Sequence, residues 1–156
     1  MVTTVGTEST YRDLVENLLL LEHDAIAAYE STISKLENPQ WKQTVASFKS
    51  DHDRHVQELM QIAGQIGATQ HREGDMKQML TTGKVALASI MGDNAILGAM
   101  RTNEEDTVSA YERAARHAEV PADVRRVFER AHQDELRHRE WFSNPTATAA
   151  APVAAQ

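Results

Sequence analysis

The stretch Asp134-Glu135-Leu136-Arg137-His138 sets a carboxylate and an imidazole three residues apart, a spacing that puts both on one face of a helix. Asp51-His52-Asp53-Arg54-His55 repeats the pattern upstream, with Asp51, Arg54 and His55 answering to Asp134, Arg137 and His138. Each copy follows a helical segment in which a glutamate, Glu22 or Glu104, stands where a leucine is expected. Glu22-His23-Asp24 to Tyr29-Glu30 also returns as Glu104-Glu105-Asp106 to Tyr111-Glu112 at one constant offset (104 − 22 = 111 − 29 = 82). The chain therefore reads as two pseudo-symmetric helical hairpins of like design that can face each other about a pseudo-twofold axis.

Thr10 with Asp13 makes a capping-box pattern, and Leu14, Val15, Leu18, Leu19, Ala25, Ile26, Tyr29 and Ile33 keep a helical period to about Leu36. Asn38-Pro39 ends this first helix and starts the next, since asparagine caps well and proline suits the first helical position. The second helix carries Trp41, Val45, Phe48, His52, His55, Leu59 and Ile62 and stops near Gly64 and Gly67. Residues 68–75 read as a loop and 76–91 as a short helix within a long crossover. Asp93 or Asn94 is expected to cap a third long helix with Ile96, Leu97, Met100, Val108, Tyr111 and Ala115 inward, ending near Ala118. Pro121 opens a fourth, carrying Val127, Phe128, Ala131, His138, Trp141 and Phe142. The expected fold class is all-α: a four-helix bundle with one crossover over residues 10–142, a flexible N-terminus over 1–9 and a disordered Ala/Thr/Pro-rich tail over 143–156.

A length of 156 residues with 41% hydrophobic content suits one domain with a core, and seven glycines and four prolines are few enough to favour long helices. Cysteine is absent, so thiolate metal sites are excluded and histidine and carboxylate are the strong side-chain ligands that remain. A formal charge of −7 disfavours nucleic acid and anionic membrane as partners, while it suits cations. No segment approaches the roughly 20 apolar residues that span a bilayer, and Met1 to Thr10 lacks the pattern of a secretory leader. A soluble cytoplasmic protein is expected, with room for a homodimer that pairs apolar surface.

Helical phase places the polar residues more sharply. Val15, Leu18, Leu19, Ile26, Tyr29 and Ile33 all lie within roughly 60° of Glu22, and Leu97, Met100, Val108, Tyr111 and Ala115 bracket Glu104 in the same way. Glu105 falls about 100° from that stripe. A single inward glutamate is commonly paired with an arginine, but two matched ones at mid-helix need positive charge or protons at the same depth, because a buried unpaired carboxylate costs several kcal/mol. Imidazoles are available on the other two helices: His55 among Phe48, Leu59 and Ile62, flanked by His52 and Asp51, and His138 among Val127, Ala131, Trp141 and Phe142, flanked by Glu135 and Asp134. A carboxylate and an imidazole at i, i+3 can hold one ion, and two such helices can hold two, with the glutamates of the other pair bridging or capping. Dinuclear carboxylate sites of this kind take iron or manganese. Tyr29 and Tyr111 stand beside the two glutamates as hydrogen-bond donors to the ligands, or as ordinary core tyrosines. His23, His71, His117 and His132 are expected at the surface, and the clusters Arg125-Arg126 and Glu104-Glu105-Asp106 mainly as solvated faces, apart from Glu104 itself.

These residues resemble the ferritin-like superfamily, whose di-iron members take a glutamate from the first helix, Glu-x-x-His from the second, a glutamate from the third and Glu-x-x-His from the fourth. Within it, Leu21 to Tyr29, Gly92 to Tyr111 and Asp134 to His138 are similar to a bacterial family of uncharacterised ferritin-like four-helix proteins. Position by position, the resemblance implies Glu22, His55, Glu104, Glu135 and His138 as metal ligands. The second helix departs: His52 stands where the glutamate is expected, so the set becomes three carboxylates and three imidazoles. Asp51 can compensate if its helix rotates, and Asp134 holds the equivalent place on the fourth helix.

The resemblance implies a ferritin-like four-helix bundle with a dinuclear centre of two divalent ions, iron first and manganese or zinc as alternatives, that reacts with oxygen or peroxide. Oxidation of Fe(II), as in a ferroxidase-like di-iron oxidoreductase, is the simplest activity of that kind. The alternative is a non-enzymatic helical stress or interaction module with one structural ion, such as zinc, or a metal-free buried polar network.

Overall fold

A computed structural model describes residues 3–72, 87 and 89–145. Four long helices account for most of them, α1 (Tyr11–Lys35), α2 (Pro39–Ile66), α3 (Asp93–Arg116) and α4 (Ala122–Ser143), and no strand occurs among the described residues. Among those residues no helix is long and apolar enough to cross a membrane.

Local chemistry sets the ends. The Thr10 hydroxyl accepts the Asp13 N–H at 3.1 Å, and the Asn38 side chain accepts those of Gln40 and Trp41 at 3.0 and 3.1 Å. Gly67 closes α2 in the left-handed region at φ 66, where a side chain would be strained. The start of α3 differs from expectation: Gly92 is the cap residue, with no side-chain cap, and Asp93 instead accepts the backbone N–H groups of Glu37 and Asn38 at 2.9 and 2.8 Å. A carboxylate that can close a neighbouring turn is worth more there than on its own helix end, where it is already inside the first turn. Arg125, expected at a solvated face, donates to the carbonyls of Ala115, His117 and Val120 and so satisfies the open end of α3.

Those contacts also fix the topology. The start of α3 lies at the α1–α2 turn, whereas the end of α2 lies beside the start of α1, where the Thr69 N–H donates to Glu16 at 2.7 Å. The helices α2 and α3 therefore run the same way, and the connection between them joins opposite ends of the bundle. The short helix expected over 76–91 falls largely outside the described residues, as do the first two residues of the N-terminal flank and the tail beyond 145.

Two apolar cores divide the interior. One is built on Leu14, Leu18, Leu59, Ile62, Ala114 and Phe128, and the other on Ala28, Leu36, Val45, Phe48, Met100 and Trp141. Between them lies a layer of buried polar residues contributed by all four helices. Apolar burial at both ends holds the helices in register, and that register decides which polar side chains meet.

Candidate metal centre

Helices α1 and α3 bring Glu22 and Glu104 to the centre of the polar layer, and α2 and α4 bring His52, His55, Glu135 and His138; each of the six is at most 2% exposed. The i, i+3 pairs on α2 and α4 point the same way for the reason the spacing implies, one helical turn separating their members. One ligand atom from each of Glu22, His52, His55 and Glu135 lies within 4.8 Å of the others, and the same holds for His52, Glu104, Glu135 and His138. The buried His/Glu groups can therefore hold a metal ion, in two overlapping sets that share His52 and Glu135.

Glu22 is the best-partnered member. Its Oε2 lies 2.7 Å from His52 Nδ1 and its Oε1 lies 3.1 Å from His55 Nδ1, and Oε1 also accepts the Tyr111 hydroxyl. Glu104 accepts the Tyr29 hydroxyl on Oε1 at 2.6 Å, while its Oε2 is 3.6 Å from His138 Nδ1. Both tyrosines thus serve the glutamate of the facing helix. Glu135 sits between the histidines, 3.3 Å from His55 Nδ1 and 3.6 Å from both His52 Nδ1 and His138 Nδ1.

Behind the histidines stands a ring of charges. His55 Nε2 lies 3.2 Å from Asp134 and His138 Nε2 lies 2.9 Å from Asp51, each reaching across to the other hairpin. Arg54 and Arg137 each bind both aspartates. Asp51 and Asp134 belong to neither of these groups, and each bonds an imidazole of the facing helix. A carboxylate only accepts, so each of these histidines carries a hydrogen on Nε2 and turns Nδ1 inward. The crossing arginines have a sequence signal, Asp-x-x-Arg in both copies, but their role depends on the facing helix and cannot be read from one strand of sequence.

The electrostatics follow from this geometry. Burial pushes Glu22 up, yet His52 and His55 outweigh it and hold its carboxyl down at about 2. Burial likewise opposes the charged form of Glu135, and His52, His138 and His55 hold it well below the usual carboxylate range. Burial and then the neighbouring Glu135 push Glu104 up. Burial pushes His138 down, but Asp51, Glu104 and Glu135 raise it to about 10; His52 and His55 are raised by their carboxylate neighbours against the same penalty. With no ion, protons must supply the positive charge.

Protons do not satisfy everything. His52 Nε2, Glu104 Oε2, both oxygens of Glu135 and His138 Nδ1 are buried without a hydrogen-bond partner. Five such atoms on four adjoining residues form a ligand set for something small and positive, and nitrogen and carboxylate oxygen are the donors that iron, manganese and zinc accept.

The other histidines are off this layer. His71, His117 and His132 are partly exposed, but His23, expected at the surface, is 7% exposed and bonds through Nε2 to the His71 carbonyl at 2.8 Å, because the segment after α2 covers it. Glu105 is exposed and pairs with Arg139 at 3.1 Å.

A family model described as a domain of unknown function, DUF2383, matches residues 11–117. That stretch holds α1, α2 and α3 with Glu22, His52, His55 and Glu104, and Glu135 and His138 on α4 lie beyond it. No curated protein and no solved structure matches the chain.

Proposed function

The chain belongs to the DUF2383 family, and we propose that it is a ferritin-like metal protein whose bundle holds a dinuclear centre, iron first among the candidates. The observation that carries this reading is the convergence of five unpartnered buried ligand atoms on His52, Glu104, Glu135 and His138. Glu22, His55 and Glu135 would hold one ion and Glu104, His138 and Glu135 the other, with His52 a further ligand to one of them. The two hairpins are of like design in this reading, so that each ion sees a glutamate from one of α1 and α3 and an imidazole from one of α2 and α4.

A pair of ferrous ions, when bound, would supply the two electrons that, with two protons from solvent, reduce hydrogen peroxide to two waters. The protein's own residues do the rest. Tyr29 and Tyr111 hold Glu104 and Glu22 by their Oε1 atoms, leaving the other oxygens to turn inward. Asp51 and Asp134 fix the imidazoles, and the apolar cores above and below keep bulk water from the layer. Three carboxylates face the four charges of two divalent ions, so the centre keeps a net charge of 4 − 3 = +1 before any water is bound.

Anaerobic loading of the ion-free protein with Fe(II), followed by oxygen or by peroxide, tests this. Rapid appearance of protein-bound Fe(III) absorbance at two equivalents supports it, and oxidation no faster than in buffer refutes it. A second reading, a single structural zinc or a metal-free polar network, is favoured by the 2.7 Å contact between His52 and Glu22. His52 Nδ1 and Glu22 Oε2 already satisfy each other without an ion.

A further inference from the structure

We propose that the cleft between α1 and α3 is an outer cation site through which divalent ions enter the buried cluster, a proposal that rests on the metal-centre reading above. The cleft is bounded by Leu21, Asp24 and Ala25 of α1 and by Asn103, Asp106 and Thr107 of α3, with Tyr29, Met100 and Glu104 deeper in. These walls match in pairs: Leu21 with Asn103, Asp24 with Asp106 and Ala25 with Thr107 are each separated by the same 82 positions as Glu22 and Glu104 (103 − 21 = 106 − 24 = 107 − 25 = 82). Half-buried Asp24, Asn103 and Asp106 line its outer part.

The cleft's chemistry is that of a hard cation. Two carboxylates, an amide carbonyl and a threonine hydroxyl are oxygen donors of the kind that hold partly hydrated divalent ions, and the acid pair repels anions. Its cavity volume of about 40 Å³ admits a few waters and no organic substrate. Leu21, Ala25 and Met100 give it low-dielectric walls, which concentrate the field of the aspartates.

An acid pair alone would make only a solvated face. Glu104 changes that. It lines the cleft, is 1% exposed, has its Oε2 without a hydrogen-bond partner, and brings that same oxygen within 3.6 Å of His138 Nδ1 in the cluster. One carboxylate therefore belongs to both places, so an ion held at Asp24 and Asp106 has a ligand on which to pass inward. Tyr29 is bonded to Glu104 Oε1, so Oε2 is the oxygen that faces His138 and would take the ion inward.

The test is the rate at which the full-length, ion-free protein takes up Co(II), followed by stopped-flow absorbance, with the final ion count from elemental analysis. The double variant Asp24→Asn, Asp106→Asn keeps the side-chain oxygen that accepts the Thr3 N–H. It should load about 10-fold more slowly at low ionic strength and lose most of the salt dependence of the rate, while reaching the wild-type number of ions. Glu129→Gln with Glu140→Gln removes the same charge from exposed positions on α4 and should load at the wild-type rate. Asp24→Asn alone, which leaves Asp106 and its contact intact, should slow loading about 3-fold, and wild-type melting temperatures in both variants exclude a folding defect. Wild-type loading rates in both aspartate variants, or equal slowing by the α4 pair, would overturn the entry site alone. Absence of Co(II) uptake by the wild-type protein would instead overturn the metal-centre reading, and the entry site with it.

Discussion

His138 Nε2 lies 2.9 Å from Asp51 Oδ2 on the facing helix, and this contact turns His138 Nδ1 toward Glu104 and Glu135. Asp134 does the same for His55 at 3.2 Å. Each of these imidazoles is thus oriented by an aspartate of the facing helix, and several consequences can be measured.

Asp51→Asn and Asp134→Asn should each weaken metal binding by about 10- to 100-fold without removing a ligand, because an amide no longer fixes the imidazole with an ionised acceptor. Competition against a chelator of known affinity reads this. Unchanged affinity in both variants would show that the aspartates serve only the arginine ring.

His52→Glu replaces by a carboxylate the imidazole that is common to both buried groups. It should tighten the second ion and raise the melting temperature of the loaded protein, yet lower that of the ion-free protein, where a new carboxylate would stand beside Glu22 and Glu135. The gap between the two melting temperatures, with and without chelator, should widen relative to wild type. A narrower gap would mean that His52 does not stand at a ligand position.

The ion-free protein should depend on pH in a defined way. His138 is raised from 6.5 to about 10, so the stability it contributes is present below 6.5 and lost as pH climbs toward 10. Glu22 is lowered from 4.5 to about 2, so its contribution is present above 4.5 and lost as pH falls toward 2. Chemical denaturation should therefore show a plateau between 4.5 and 6.5 that declines on the alkaline side. Bound ions replace those protons, so metal affinity should rise with pH and the alkaline decline should disappear in the loaded protein.

Tyr111→Phe and Tyr29→Phe remove the hydroxyls that reach Glu22 and Glu104. Each should destabilise the ion-free protein by about 2 kcal/mol, the scale of a buried hydrogen bond to a charged group, while the number of bound ions stays the same. Loss of ions in either variant would assign the tyrosine a direct role as ligand.

Much of this arrangement was readable from the chain. Periodicity gave the four helices, since Thr10, Asn38, Pro39 and Gly67 act locally at their ends. Phase gave Glu22, Glu104, His55 and His138 as inward residues, because an apolar stripe leaves little choice about what faces a core. What escaped depends on contacts between helices. Asp93 spends its carboxylate on the α1–α2 turn, and Arg125 caps α3 from α4. His23 is buried by a segment 48 positions away in sequence, beyond any helical pattern. Asp51 and Asp134 had the right phase to face inward, but their bonds to the histidines and arginines of the facing helix are invisible in either helix alone.

The most direct measurement is elemental analysis of the protein purified without added metal, and again after saturation with Fe(II) or Mn(II) and removal of excess. Two ions per chain after saturation, falling in His138→Ala and Glu22→Ala, is the result this account predicts. No bound metal under either condition, with a melting temperature indifferent to chelator, would contradict it.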